Sequence, residues 1–243
     1  HLLGFSAVSG RAEAFKAGGK VVKNVTGYDL SKVMVGSWGQ LAVMTELSIK
    51  VVPKPKASAT LILHGLPVQA AVQRMAEAMG SVAGPAAAAY IPDASGSVSQ
   101  TLLRVEGFAP SVTFRVGQLQ SILGHPASDI VTGPEAGSIW QEVRLAGALG
   151  DKTALWRVLV APSRAVGLAE ELGQAGVDWV MDWAGALLWA GGEADVDIHA
   201  IALRHEGHAM LVRAPRAVSE AFGFRRFAEA GATALSQRVK RGF

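Results

Sequence analysis

The run Lys23-Asn24-Val25-Thr26-Gly27-Tyr28-Asp29-Leu30 is followed by Gly36-Ser37-Trp38-Gly39-Gln40-Leu41-Ala42-Val43-Met44-Thr45, which puts three glycines within thirteen residues. The chain then enters a β-rich stretch, 41–52. Glycines just ahead of a strand permit backbone with φ > 0 or a close approach to a ligand. Amides turned outward in such a loop can meet a polar or anionic group with no side chain in between. The competing reading is a pair of tight turns between strands, in which Asp29 caps a short helix and Tyr28 fills a core.

Other reactive side chains are sparse. There are six histidines, and His205-Glu206-Gly207-His208 is the one close pair. Its i, i+3 spacing around a glycine is not the i, i+4 helical arrangement of a zinc protease. No Ser-His-Asp set is evident. Trp179, Trp183 and Trp189 fall in one strand pair, with Ala184-Gly185 as its turn. They read as a pocket wall, a docking surface or core aromatics.

Composition narrows the classes. The 243 residues contain no cysteine, which excludes disulfides, cysteine-ligated clusters and a thiol nucleophile. Half the residues are hydrophobic and the mean hydropathy is +0.28. No run approaches the roughly eighteen uncharged apolar residues of a spanning helix. The excess implies a large core plus a partner-facing surface. A net charge of +3 with scattered basic residues describes a solvated face rather than a nucleic-acid footprint.

The elements that must position these residues fall into three stretches. Residues 1–57 are strand-and-turn, with β-branched runs at 21–22 and 41–52 and a short helix at 29–34. Two prolines at 53 and 55 mark a boundary. Residues 58–215 then read as strand 59–63, helix 68–79, strands 87–91 and 101–106, helix 111–123 and strand 129–132. A connecting helix at 135–149 leads to a second pass: strand 155–161, helix 164–175, strands 178–183 and 186–190, helix 196–204, strand 209–213. In helix 68–79, Val68, Ala71, Val72, Met75 and Met79 share one face. Two β-α-β-β-α-β passes predict a duplicated ferredoxin-like unit, one antiparallel sheet with most helices on a single face. Helices at 216–222 and 230–243 close the chain.

The glycine segment resembles the K-N-x-T-G-Y-D-L … G-S-x-G-x-L-x-V-x-T signature of the vanillyl-alcohol-oxidase (VAO/PCMH) type FAD-binding domain. Within that superfamily the chain resembles the FAD-binding E subunits of bacterial glycolate oxidase. Residues 5–15, 182–189 and 207–215 carry the narrower likeness. The resemblance implies an α+β protein: the C-terminal part of a VAO/PCMH-type FAD-binding domain in 1–57, then a duplicated ferredoxin-like cap domain in 58–215. It implies FAD contacts from Asn24, Gly27, Tyr28 and Asp29, and from Gly36, Ser37, Gly39, Gln40, Leu41 and Val43. Gln40 stands where the superfamily often has Thr, and Ala42 where it often has Gly.

The same resemblance implies an oxidoreductase subunit supporting oxidation of glycolate to glyoxylate, with a catalytic flavoprotein subunit and an iron–sulfur subunit as partners. It implies a cytoplasmic location, with any membrane attachment made through those partners. An independent FAD-dependent 2-hydroxy-acid or sugar-alcohol oxidase, and a structural subunit that keeps the fold, are the rival readings. No catalytic residue and no metal ligand is assigned. Related catalytic subunits carry H-G-x-G-x-G-N-x-H where this chain has Arg204-His205-Glu206-Gly207-His208. The family's glycine-rich pyrophosphate loop would precede His1, and its D-P-x-G-I-F-N-P-G motif would follow Phe243. The 243 residues alone are therefore expected to carry no FAD.

Overall fold

The computed structural model describes the chain apart from residues 22–26, 94–97, 127, 194 and 224–229. It divides into two compact units, His1–Lys54 with Phe227–Phe243, and Pro55–Arg226. The stretch read as one C-terminal segment, 216–243, is thus split. Its first helix belongs to the second unit and its last helix to the first.

The first unit holds a three-stranded antiparallel sheet of β1 (Leu2–Ser9), β2 (Ala14–Gly18) and β3 (Ala42–Ile49), with β1 in the middle. Helix α1 (Leu30–Met34) buries Met34 against Phe5, Ala7 and Ala42. Phe243, after the helix Ala230–Gly242, joins the same cluster with its ring 5.9 Å from that of Phe15. Along β3, Val43, Leu47 and Ile49 stay exposed. The β-rich run expected to reach residue 52 ends as a strand at Ile49.

The second unit opens with β4 (Ala57–His64), α2 (Val68–Gly80), β5 (Ala87–Ile91), β6 (Gln100–Gly107), α3 (Ala109–Leu123) and β7 (Ser128–Thr132). Helix α4 (Gly133–Leu145) connects to β8 (Ala154–Leu159), α5 (Ala165–Gln174), β9 (Asp178–Asp182), β10 (Leu187–Gly192), α6 (Ile198–Arg204), β11 (His208–Arg213) and α7 (Arg216–Phe222). All eight strands form one antiparallel sheet in the order β11-β8-β10-β9-β5-β6-β4-β7. Each half repeats the same 4-1-3-2 strand order. The halves meet where β5 pairs with β9 at Tyr90 and Met181. The duplicated α+β architecture is the one the sequence pattern predicts.

Strand alternation sorts the two faces. Leu61, Leu63, Leu103, Val105, Trp156, Val158, Met181 and Leu188 share one core with α2, α3, α5 and α6. On the other face, Trp140 and Val143 of α4 cover Ile62, Ala89 and Leu102. A 3-10 turn, Gly147–Leu149, then covers Leu155 and Val180. The connecting helix ends at Leu145 rather than 149 because Ala146 turns left-handed at φ 51. Helix α2 buries Ala71, Met75 and Ala78, while Met79, expected on that face, is exposed.

Candidate functional site

Two places bring chemically active groups together, one in each unit. In the first, Gly27, Gly36 and Gly39 hold φ of +73°, +81° and +73°. A Cβ built on any of them would meet nothing within 4 Å. Conformation, not crowding, therefore selects glycine here, since L side chains avoid this region. Tyr28 is 95% exposed, which overturns its reading as a core residue. Asp29 caps α1: its carboxylate accepts from the Lys32 amide at 3.4 Å and pairs with the Lys32 ammonium at 2.7 Å. Hydrogen bonding from Lys32 holds that carboxyl below its ordinary value.

Trp38 sits between the second and third glycines at φ 54 and is more than half exposed. The Ser37 amide donates to the Met34 carbonyl and the Gln40 amide to that of Ser37, so this turn is closed by its own backbone. Gln40 and Val43 are exposed, and Leu41 leans on the cluster beneath. Asn24 lies outside the described residues. The other nine residues singled out from sequence lie between Gly27 and Val43: eight precede β3 and Val43 is within it, and all but the half-buried Ser37 and Leu41 are exposed.

The second place is a cleft of about 470 Å³ in the other unit. Arg104 of β6, Trp140 and Arg144 of α4, Asp182 at the end of β9 and Trp183 after it line the cleft. Trp140 fixes one wall: its Nε1–H donates to Thr60 Oγ1 at 2.8 Å, and the Arg104 guanidinium lies 4.9 Å from its ring centroid. Arg104 Nε is buried without a hydrogen-bond acceptor among the described residues, although Glu106 lies 3.2 Å away.

The opposite wall is a strained turn. Trp183, Ala184 and Gly185 all have positive φ, and Asp182 accepts from the Trp183 amide at 2.7 Å. Burial pushes the Asp182 carboxyl up, against the opposing effects of that amide and of Arg104. The Arg157 guanidinium lies over the Trp183 ring at 4.9 Å, and burial lowers its pKa. The three tryptophans read as one cluster are in fact separated. Trp179 stacks on Tyr90 at the helix-covered face, Trp189 packs beside Leu155 and Val180, and Trp183 stands half-exposed in the turn.

His205 and His208 do not converge. His205 Nε2 lies 2.7 Å from Glu171, while His208 begins β11. Among the described residues, no group of three or more His, Cys, Asp or Glu side chains could hold a metal ion. No described helix is long and apolar enough to cross a membrane.

The chain is 34% identical over 218 residues to glycolate oxidase subunit GlcE of Escherichia coli, an overlap of 86% of this chain and 53% of that protein. Over most of its own length the chain is similar to a glycolate oxidase subunit. It is also 32% identical over 109 residues to glycolate oxidase subunit GlcD of Bacillus subtilis, covering 45% of this chain and 22% of the relative. The chain spans about half the length of GlcE. No family model matches the chain.

Solved structures bear on the fold. An alkyldihydroxyacetonephosphate synthase superposes with a TM-score of 0.59 at 14% identity, covering 99% of this chain and 51% of that one. The p-cresol methylhydroxylase with substrate bound gives 0.56 at 12% identity, over 84% and 53%. The α+β class and the VAO/PCMH type of fold stand on these likenesses.

Sequence reasoning reached the glycine segment through its motif. It missed Arg104, Trp140, Arg144 and Asp182, whose common cleft depends on pairing strands far apart in the chain.

Proposed function

We propose that the chain is part of an FAD-binding subunit of a glycolate oxidase or dehydrogenase complex, which supports oxidation of glycolate to glyoxylate. The similarity to GlcE across 218 residues carries this reading, because it runs through both structural units. On this reading residues 1–57 contribute one part of the flavin-binding domain and residues 58–215 its cap. A catalytic flavoprotein subunit and an iron–sulfur subunit would be the partners, in the cytoplasm.

The residues present fit a flavin wall. Gly27, Gly36 and Gly39 keep backbone open where a Cβ would project into free space. Tyr28, Gln40 and Val43 offer exposed polar and apolar contact beside them. Asp29 serves this wall indirectly, by capping α1 and setting the path of the chain between Gly27 and Gly36. FAD, when bound, would supply redox chemistry to the complex. The chain's residues would supply position.

The test is flavin absorbance and glycolate-dependent dye reduction by protein of the relatives' full length, with and without partner subunits. Flavin present but reduction only with partners supports the reading, and absence of flavin favours a structural subunit. Similarity to GlcD and, at 45% identity over 51 residues, to D-lactate dehydrogenase of Anaerostipes hadrus favours a second reading, an independent 2-hydroxy-acid oxidase. Glycolate-dependent reduction without partners would select it.

A further inference from the structure

The eight-stranded sheet is tied unevenly along its width. Six of its seven neighbouring strand pairs run in register over five residues or more. The seventh, β5 with β9, is paired at Tyr90 and Met181 alone. This seam is where the two halves of the duplication meet. Among the described residues no further backbone hydrogen bond crosses it. Among them, too, no ion pair or side-chain hydrogen bond joins residues 57–132 to residues 154–213. Arg104 and Asp182 attract each other over the seam, but from beyond ion-pair distance.

What joins the halves is apolar. Leu61, Met75 and Leu103 of one half share a core with Leu168, Met181 and Leu188 of the other. Tyr90 adds one oriented contact. Its hydroxyl donates to the Leu66 carbonyl at 2.9 Å, within its own half, while its ring stacks on Trp179 of β9 with centroids 5.9 Å apart. Ladder hydrogen bonds fix how strands lie against each other, whereas apolar burial is non-directional and follows the area removed from water. The seam therefore resists separation more than sliding.

We propose that the β5–β9 seam is a shear plane along which the two halves slide as bodies, and that the slide widens and narrows the cleft spanning it. The cleft has a wall on each body: Ala87, Ala88 and Arg104 on one, Asp182, Trp183 and Ala184 on the other. The connector is divided in the same way. Trp140 of α4 is bonded to Thr60 in the first half, whereas the Leu149 and Gly150 carbonyls accept from Arg213 in the second. Ala146, left-handed at φ 51, lies between these attachments as the pivot. The stack of Trp179 on Tyr90 is the catch that holds the closed position.

The chain has no cysteine, so single introduced thiols report on the motion without background. Ala88 lines the cleft on β5 and is 1% exposed, while Ala59 of β4, two strands from the seam, is 4% exposed. In the whole 243-residue chain an Ala88→Cys thiol is expected to react with dithionitrobenzoate at least about tenfold faster than an Ala59→Cys thiol. Adding Trp179→Ala should speed Ala88→Cys about fivefold more and leave Ala59→Cys unchanged, with Trp179→Phe close to wild type. Nitroxide pairs give a second reading. The distance distribution between Gln73→Cys on α2 and Gln174→Cys on α5 should be about twice as broad as that between Gln73→Cys and Gln120→Cys on α3. Equal thiol rates, a Trp179→Ala effect shared by both thiols, or equal widths would each overturn the proposal. Neither flavin nor turnover enters the readout, so the shear plane stands or falls apart from the glycolate reading.

Discussion

Trp140 Nε1–H donates to Thr60 Oγ1 at 2.8 Å, joining residues eighty positions apart across the face of the sheet that α4 covers. Thr60 is fully buried and Trp140 nearly so. This bond anchors α4 on β4 and holds one wall of the cleft in place. Replacing Thr60 by Val keeps the shape and removes the acceptor, stranding a buried N–H. Thr60→Val is expected to lower stability by about 1–3 kcal/mol, read from urea unfolding midpoints. An unchanged midpoint would mean that the indole finds another partner.

The turn glycines separate folding from cofactor binding. Gly39 has φ +73° with free space around its Cβ position, so a side chain there meets conformational strain but no clash. Gly39→Val in protein of the relatives' full length is expected to cost about 1–2 kcal/mol of stability and to lose most of its flavin, scored by absorbance per mole of protein. Losses of fold and flavin in step would make the glycine purely structural.

Retention of FAD by the 243 residues alone is the plainest check on where the flavin wall ends. A small-molecule site buries about 70–90% of its ligand. The glycine segment lies on exposed backbone, with Tyr28 95% and Trp38 58% accessible. Gel filtration of the chain with added FAD is expected to yield colourless protein. Stoichiometric yellow protein would put the site within these residues.

A pH response resides in the clasp between α5 and α6. The Arg204 guanidinium hydrogen-bonds Glu171, and His205 Nε2 lies 2.7 Å from the same carboxylate. Arg204 first, and then His205, hold the Glu171 carboxyl below its ordinary 4.5, with burial opposing. A depressed folded pKa means that the stabilisation is present above the unfolded value of 4.5 and is lost as pH falls through the folded value. Wild type should therefore melt above Glu171→Gln at neutral pH, and the two curves should converge as the solution is acidified below 4.5 and through the depressed folded value. A gap that stays constant down to strong acid would show that the clasp is not ionic.

Much of the architecture is written in the order of residues. Ala59, Leu61 and Leu63 alternate with Thr60 and Ile62, so β4 must present two faces, and the same β-α-β-β-α-β rhythm recurs after α4. The three signature glycines likewise announce left-handed turns, because few other residues tolerate them. Even so, the pattern misplaced Met79, because a two-residue choice at a helix edge is settled by which neighbour fills the core. It also left the C-terminal helices as one segment, because nothing in 216–243 says which hydrophobic cluster will receive Phe243.

The cleft could not be read in that way. Arg104, Trp140, Arg144, Asp182 and Trp183 come from two halves of the duplication and the helix between them. They become neighbours because β5 of one half pairs with β9 of the other. That pairing depends on backbone hydrogen bonds and on the summed burial of both halves, neither of which leaves a local mark in sequence. The periodicity determined the two halves of the sheet and the glycine turns. The joining of those halves, a long-range contact whose partners are chosen by packing, decided which charged groups share one pocket.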